Sequence, residues 1–247
     1  MDKLLSAYRS IIPALDVRTI NQLENIVTVC SAFKEVDAYK VGFSLGLRYS
    51  LPVVVGAIKF AHPTAKVIYD YQKAGTDIPD VAKEFAAVMK ESGVDSAIIF
   101  PQAGPVTQEA FIKALQDKGV HVICGGEMTH KGYLAKDGGY ICDDAPERMY
   151  KLAASLGVKD FVVPGNKVDR IRHYHDLVKS AGVLEPVFYS PGFVAQGGEV
   201  SKTTQAAGKF WHAICGRAVY NPAGRDNLNC VTRKEIQDSL EKLVSNL

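Results

Sequence analysis

Nowhere in the 247 residues does an apolar run approach eighteen positions, and the N-terminal stretch MDKLLSAYRSIIPALDV has no long apolar core followed by a small-residue cleavage site. Neither a membrane span nor an export signal is expected on that pattern, and a cytoplasmic location is. Cysteine is sparse: five residues at 30, 124, 142, 215 and 230, with no C-x-x-C pair and no Cys/His cluster at zinc spacing. Reduced thiols fit that distribution better than a disulfide framework. Runs of one charge are missing too. The 29 Lys and Arg are interspersed with 27 Asp and Glu for a net charge of +2, so neither a nucleic-acid footprint nor a polybasic membrane patch is expected. The six histidines show no H-E-x-x-H or comparable ligand spacing, and no metal site is expected.

What is present is the composition of an ordinary globular chain, 47% hydrophobic and 23% charged. Eight short runs rich in β-branched residues recur along it: IIPALDV at 11, VDAYKVG at 36, KVIYDYQ at 66, DSAIIF at 95, HVICGG at 121, DFVVPG at 160, PVFYSPG at 186 and WHAICGR at 211. Between them lie segments such as TINQLENIVTVCSAFKE, DIPDVAKEFAAVMKESG and VDRIRHYHDLVKSAG, whose apolar residues return every three or four positions. Strands buried on both faces that alternate with amphipathic helices imply a parallel sheet. Eight such units predict an α/β fold of the (β/α)8 TIM-barrel type, with residues 1–247 forming one domain. An open doubly wound sheet is the main alternative, but the first strand is followed by DVRT and not by a Gly-rich dinucleotide loop.

Polar residues gather at the C-terminal ends of these runs, which meet around one mouth in a closed barrel. Lys40, inside AYKVGF, needs carboxylate partners such as Asp16 or Asp70 if it is buried, or is an end-of-strand lysine whose head reaches water. DYQKAGTD puts Asp70, Lys73 and Asp77 after the third strand. These could form a lysine–carboxylate array with one ammonium as proton donor, while Asp77 also suits the N-cap of a helix opening at Ile78 and Pro79. SPGFVAQGGEVS could hold a phosphate on its turn amides, or be only a turn. The following Gly216 and Arg217 add a guanidinium suited to bidentate phosphate contact. Two phosphate-type features on strands seven and eight fall where barrels frequently place that group.

In that order, IPALD, YKVG, EMTHKG, SPGFVAQGG and the Gly-Arg-Ala-Val-Tyr stretch at 216–220 resemble signatures of the orotidine 5′-phosphate decarboxylase family, over nearly the whole chain. The resemblance implies decarboxylation of orotidine 5′-monophosphate without metal or organic cofactor. It implies a small-molecule nucleotide substrate and a homodimer with active sites at its interface. Asp16 would contact the ribose; Lys40, Asp70, Lys73 and Asp77 would form the charge network, with Lys73 protonating the pyrimidine carbon. Thr129 would contact the base where the family usually has Ser. Pro191, Gln196, Gly197, Gly216 and Arg217 would serve the phosphate. One departure stands out. The family pattern is Asp, any residue, Lys, two residues, Asp; here Gln72 holds the lysine's place and Asp77 comes two residues late. Two further readings remain at this point: a metal-dependent sugar-phosphate lyase of the same superfamily, and a non-catalytic nucleotide-binding barrel.

Overall fold

The computed structural model describes residues 3–71, 74–192 and 200–247. Eight parallel strands carry it: β1 (Arg9–Pro13), β2 (Ala38–Gly42), β3 (Lys66–Asp70), β4 (Ser96–Ile99), β5 (His121–Gly125), β6 (Asp160–Val162), β7 (Val187–Pro191) and β8 (Phe210–Cys215). The sheet order runs β1-β8-β7-β6-β5-β4-β3-β2. The remaining seam, between β1 and β2, is joined by a bridge between Ala14 and Lys40 and by the Leu15 amide donating to the Lys40 carbonyl at 2.8 Å. The predicted (β/α)8 barrel is therefore the observed fold.

Helices α1 (Ile20–Cys30), α2 (Phe43–Tyr49), α3 (Leu51–Ala61), α4 (Ala82–Glu91), α5 (Pro105–Asp117), α6 (Ala145–Ser155), α7 (Val168–Ser180), α8 (Val200–Ala207), α9 (Arg217–Tyr220) and α10 (Arg233–Val244) return the chain between strands and close it. Capping boxes start the first and last of them. Thr19 pairs with Gln22 and Thr232 with Glu235, each side chain satisfying a backbone N–H that helix geometry leaves open. Between β2 and β3, outside the periodic segments quoted from the sequence, the chain makes two helices. They meet at 107°, and Ser50 between them has φ 64°. Among the described residues no single helix is long and apolar enough to cross a membrane.

Two apolar layers hold the barrel. Ile11, Val41, Val67, Ala97, Val122, Phe161, Phe188 and Trp211 pack outward beneath the helices, while Ile12, Ile68, Ile98, Ile123, Val162, Tyr189 and Ile214 fill the interior. Successive strand residues alternate between the two, as a parallel sheet covered on both sides requires. Each fully buried aliphatic side chain contributes about 1.5–3 kcal/mol. The N-terminal end of the barrel is sealed. Leu5 is buried in the interior cluster, and the Lys3 ammonium sits 3.2 Å over the Phe210 ring. Just above, His212 accepts from or donates to Ser10 Oγ at 2.8 Å, and burial pushes its pKa down to about 3, so the imidazole is neutral. The open end is the other one.

Candidate active site

The β1–β2 seam builds the charged wall of the mouth. The backbone crossing at Leu15 carries Asp16 beside Lys40, and the β2–β3 register pairs Gly42 with Asp70. Lys40 Nζ lies 2.9 Å from Asp70 Oδ2 and 3.6 Å from Asp16 Oδ1, with the lysine only 8% exposed. Burial alone would lower the lysine's pKa, but Asp70, then Asp16, outweigh it and hold the pKa above the ordinary value. Of the two readings of Lys40, the buried, carboxylate-bracketed one holds.

Asp16, Lys40, Asp70, Thr129, Pro191, Gly216 and Arg217 all line one cavity of about 320 Å³ at the C-terminal ends of the strands. Its floor is apolar, with Ala14, Ile98, Phe100, Val162 and Ile214 drawn from four strands or their ends. Charged groups on the wall and an apolar floor are the usual make-up of a site for a small polar ligand. Lys73, Gln196 and Gly197 lie outside the described residues. Asp77 is not among the residues lining this cavity. Nor does it cap a helix as expected: the N-cap of the short 3-10 turn Pro79–Val81 is Ile78, and α4 starts after Val81. The Asp77 carboxylate accepts instead from the adjacent Ile78 amide at 2.8 Å, and its carbonyl from Thr107 Oγ1 at 3.0 Å. The chain makes one 3-10 turn over Pro79–Val81 before the helix proper begins at Ala82, which moves the cap position past Asp77.

Several cavity residues escaped the sequence reading. Tyr220 falls three positions after Arg217, one turn along α9, and joins it at the cavity. Glu127 is the least expected, a carboxylate only 2% exposed just past β5. It accepts from Lys167 Nζ at 2.8 Å, from Arg170 Nε at 2.9 Å and from the Tyr174 hydroxyl. Lys167 also donates to the Met128 carbonyl at 3.1 Å, and Asn166 Nδ2 to the Thr129 carbonyl at 3.2 Å. The stretch presenting Thr129 is thus clamped by the loop after β6. That loop also reaches the phosphate-type end, where the Gly165 amide donates to the Pro191 carbonyl at 2.9 Å and Thr203 Oγ1 to the Gly165 carbonyl at 3.2 Å.

Burial would raise the Glu127 pKa, but hydrogen bonds from Lys167, Tyr174 and Arg170 overcome it and hold the carboxyl below its ordinary 4.5. A depressed carboxylate contributes stability that is present above the unfolded-state pKa and lost as pH falls through the lower folded one. Glu127→Gln is expected to destabilise the fold at neutral pH by on the order of 3 kcal/mol and to flatten the loss of stability below pH 4.5. Urea midpoints at neutral pH and in acid below that value check this; an unchanged pH dependence in the variant would refute it.

Fold and site together define a (β/α)8 barrel whose mouth gathers a buried lysine–carboxylate array with Arg217, Gly192 and Gly216 in one cavity. The chain belongs to the orotidine 5′-phosphate decarboxylase / HUMPS family, whose model matches residues 9–227. Orotidine 5′-phosphate decarboxylase of Thermoplasma volcanium is 32% identical over 212 residues, 86% of each chain. That of Methanococcus maripaludis is 29% identical over 208 residues, 84% of this chain and 88% of its own. Among solved structures, the Methanocaldococcus jannaschii orotidine 5′-monophosphate decarboxylase complexed with the inhibitor BMP superposes with a TM-score of 0.77 at 23% identity, covering 95% of this chain and 98% of that one. The Pyrococcus horikoshii enzyme gives 0.74 at 22% identity, covering 96% and 98%. These two likenesses concern the fold.

Proposed function

We propose that the chain is an orotidine 5′-phosphate decarboxylase that releases carbon dioxide from orotidine 5′-monophosphate to leave uridine 5′-monophosphate. The observation that carries this reading is the buried Lys40 bracketed by Asp70 and Asp16 in a cavity that also holds Arg217. Arg217 and the backbone at Gly216, with Gln196 and Gly197 of the loop that Pro191 opens, take the phosphate. Asp16 takes the ribose and Thr129 the base. Binding energy gathered at the phosphate, remote from the reacting carbon, holds the substrate carboxylate against the like charge of Asp70. The bond from carbon 6 to the carboxylate breaks, carbon dioxide leaves, and the electron pair remaining on carbon 6 takes a proton from the Lys73 ammonium. Lys40, 2.9 Å from Asp70 Oδ2, holds that carboxylate in place. All of this is work for the chain's own groups, with no metal or organic cofactor in the scheme.

The 247 residues act as one barrel domain in the cytoplasm, within pyrimidine synthesis, and pair as a homodimer in which Asp77 serves the partner's site. Exposed apolar side chains around it support that role: Ile78 is 57% exposed and Val106, beside the Thr107 that bonds Asp77, 69%. Sedimentation velocity is expected to give a dimer; a monomer at all concentrations would refute it. For the activity itself, the ultraviolet absorbance of orotidine 5′-monophosphate is expected to fall with purified protein, equally with and without excess chelator. Unchanged substrate would refute the decarboxylase, and loss of turnover on chelation would refute its metal-free mechanism.

A further inference from the structure

The lengthened loop after β3 and the wall of the cavity meet at one residue, Phe100, the first position past β4. Ile98 is the register partner of Asp70, and strand alternation puts residue 100 on the same inward face, closer to the mouth. Phe100 is buried, lines the cavity and belongs to the interior cluster with Ile98, Ile123 and Val162. The neighbouring strand makes room for it. A Cβ at Gly125 would fall 2.3–2.6 Å from ring atoms Cζ, Cε1 and Cε2. Gly125 is not among the glycines with positive φ, so its missing side chain answers to the ring and not to a backbone turn. The ring fills the space in which a side chain at 125 would begin.

The backbone of the same residue anchors the loop that follows Asp70. Phe100 N–H donates to the Ala74 carbonyl at 3.0 Å. Gly75, at φ 85°, lies so close to the next strand that a Cβ there would sit 3.2 Å from Pro101 Cα. Both contacts fall within the stretch in which the chain is longer than the family pattern.

We propose, resting on the nucleotide reading above, that Phe100 is a specificity-determining residue: its ring, seated on Gly125, is the apolar wall against which a flat pyrimidine packs, while its amide fixes the loop carrying the charge network. An aromatic face suits a planar ring. It offers no partner to the hydroxyl groups of an open sugar phosphate, which would be left unpaired against it.

The test compares the dissociation constants of uridine 5′-monophosphate and ribose 5-phosphate in wild type, Phe100→Ala and Phe100→Ala with Gly125→Leu. The wild-type preference for the nucleotide is expected to fall at least about tenfold in Phe100→Ala, through weaker nucleotide binding with ribose 5-phosphate unchanged. Leucine at 125, refilling the space from the adjacent strand, is expected to recover part of it. An unchanged preference, an equal loss of both ligands, or a wild type indifferent between them would overturn the proposal. Should Phe100→Ala not fold, Phe100→Leu is expected to move the preference in the same direction by less, and no movement there overturns it too. Turnover is read separately. A wild type that prefers the nucleotide through Phe100 yet leaves orotidine monophosphate intact refutes the decarboxylase and not the wall; one that turns over with a preference indifferent to residue 100 does the reverse.

Discussion

Lys40→Met is expected to lower kcat/KM on orotidine 5′-monophosphate by about a thousandfold, the scale seen when a preorganised electrostatic partner is removed from an enclosed site. The reason lies in what remains. Asp70 and Asp16 both face Lys40, at 2.9 and 3.6 Å, and the Asp70 side chain is only 15% exposed. Methionine preserves the length and apolar stem of lysine but removes the ammonium that both carboxylates face. Breaking a buried pair in this way costs about 3–5 kcal/mol of stability, unless the system relieves the repulsion by taking up a proton. The variant's activity should therefore carry a signature beyond its size, with the acid limb of its pH profile displaced upward. Lys40→Arg is expected to rescue little, since the planar guanidinium does not fit where a compact ammonium sits between two acids. A loss below tenfold, or an acid limb that stays in place, would show that the lysine does not serve the carboxylates. The same pair sets an alkaline limit. A lysine whose folded pKa is raised contributes stability that is fully present below the unfolded value of 10.5 and lost as pH rises through the higher folded one.

Much of this was legible in the order of residues, and the parts that were not share a cause. Strand-forming runs such as KVIYD and SAII, set between periodic helices, led to the eight-stranded barrel, since burial on both faces leaves a local trace. Asp16, Lys40, Asp70 and Arg217 could be gathered at one mouth because a barrel's topology converts strand ends into neighbours. Glu127 could not. Its three donors come from Lys167, Arg170 and Tyr174, some forty residues on, in a helix and its approach that read as ordinary surface. Nothing local in EMTHKG marks that carboxylate as buried. Phe100 and Gly125 are a second case, because a glycine that yields its space to a ring on the next strand looks the same in sequence as one that makes a turn. Asp77 misled for the opposite reason. An aspartate before Ile-Pro is a plausible cap, but the 3-10 turn at Pro79–Val81 puts the helix start at Ala82, beyond its reach.

On the decarboxylase reading proposed above, the remaining question is which residue of the lengthened motif gives the proton. Gln72 occupies the position counted for the family's lysine, yet an amide has no ionisable proton to deliver. Lys73 is the nearest ammonium along the chain, and the residue after it is held. Ala74 is buried, its amide donates to the Tyr71 carbonyl at 2.9 Å, and its carbonyl accepts from Phe100. A loop tied down at that point does not depend on length alone to keep its register, so the extra residues need not move the donor by the ångström that already costs about a hundredfold. Lys73→Ala is accordingly expected to reduce kcat by about ten-thousandfold, the upper range for a positioned general acid, with uridine 5′-monophosphate binding changed far less. Gln72→Ala should leave most of the rate. On the proposed shared-site dimer, Asp77→Asn is expected to be inactive alone, and the Lys73→Ala protein mixed with it should regain turnover, since a mixed dimer would assemble one site with an intact lysine from one chain and an intact aspartate from the other. If Gln72→Ala abolishes turnover while Lys73→Ala does not, the proton donor is misassigned; if both single variants are inactive and their mixture stays so after subunit exchange, Asp77 serves its own chain and the shared site falls.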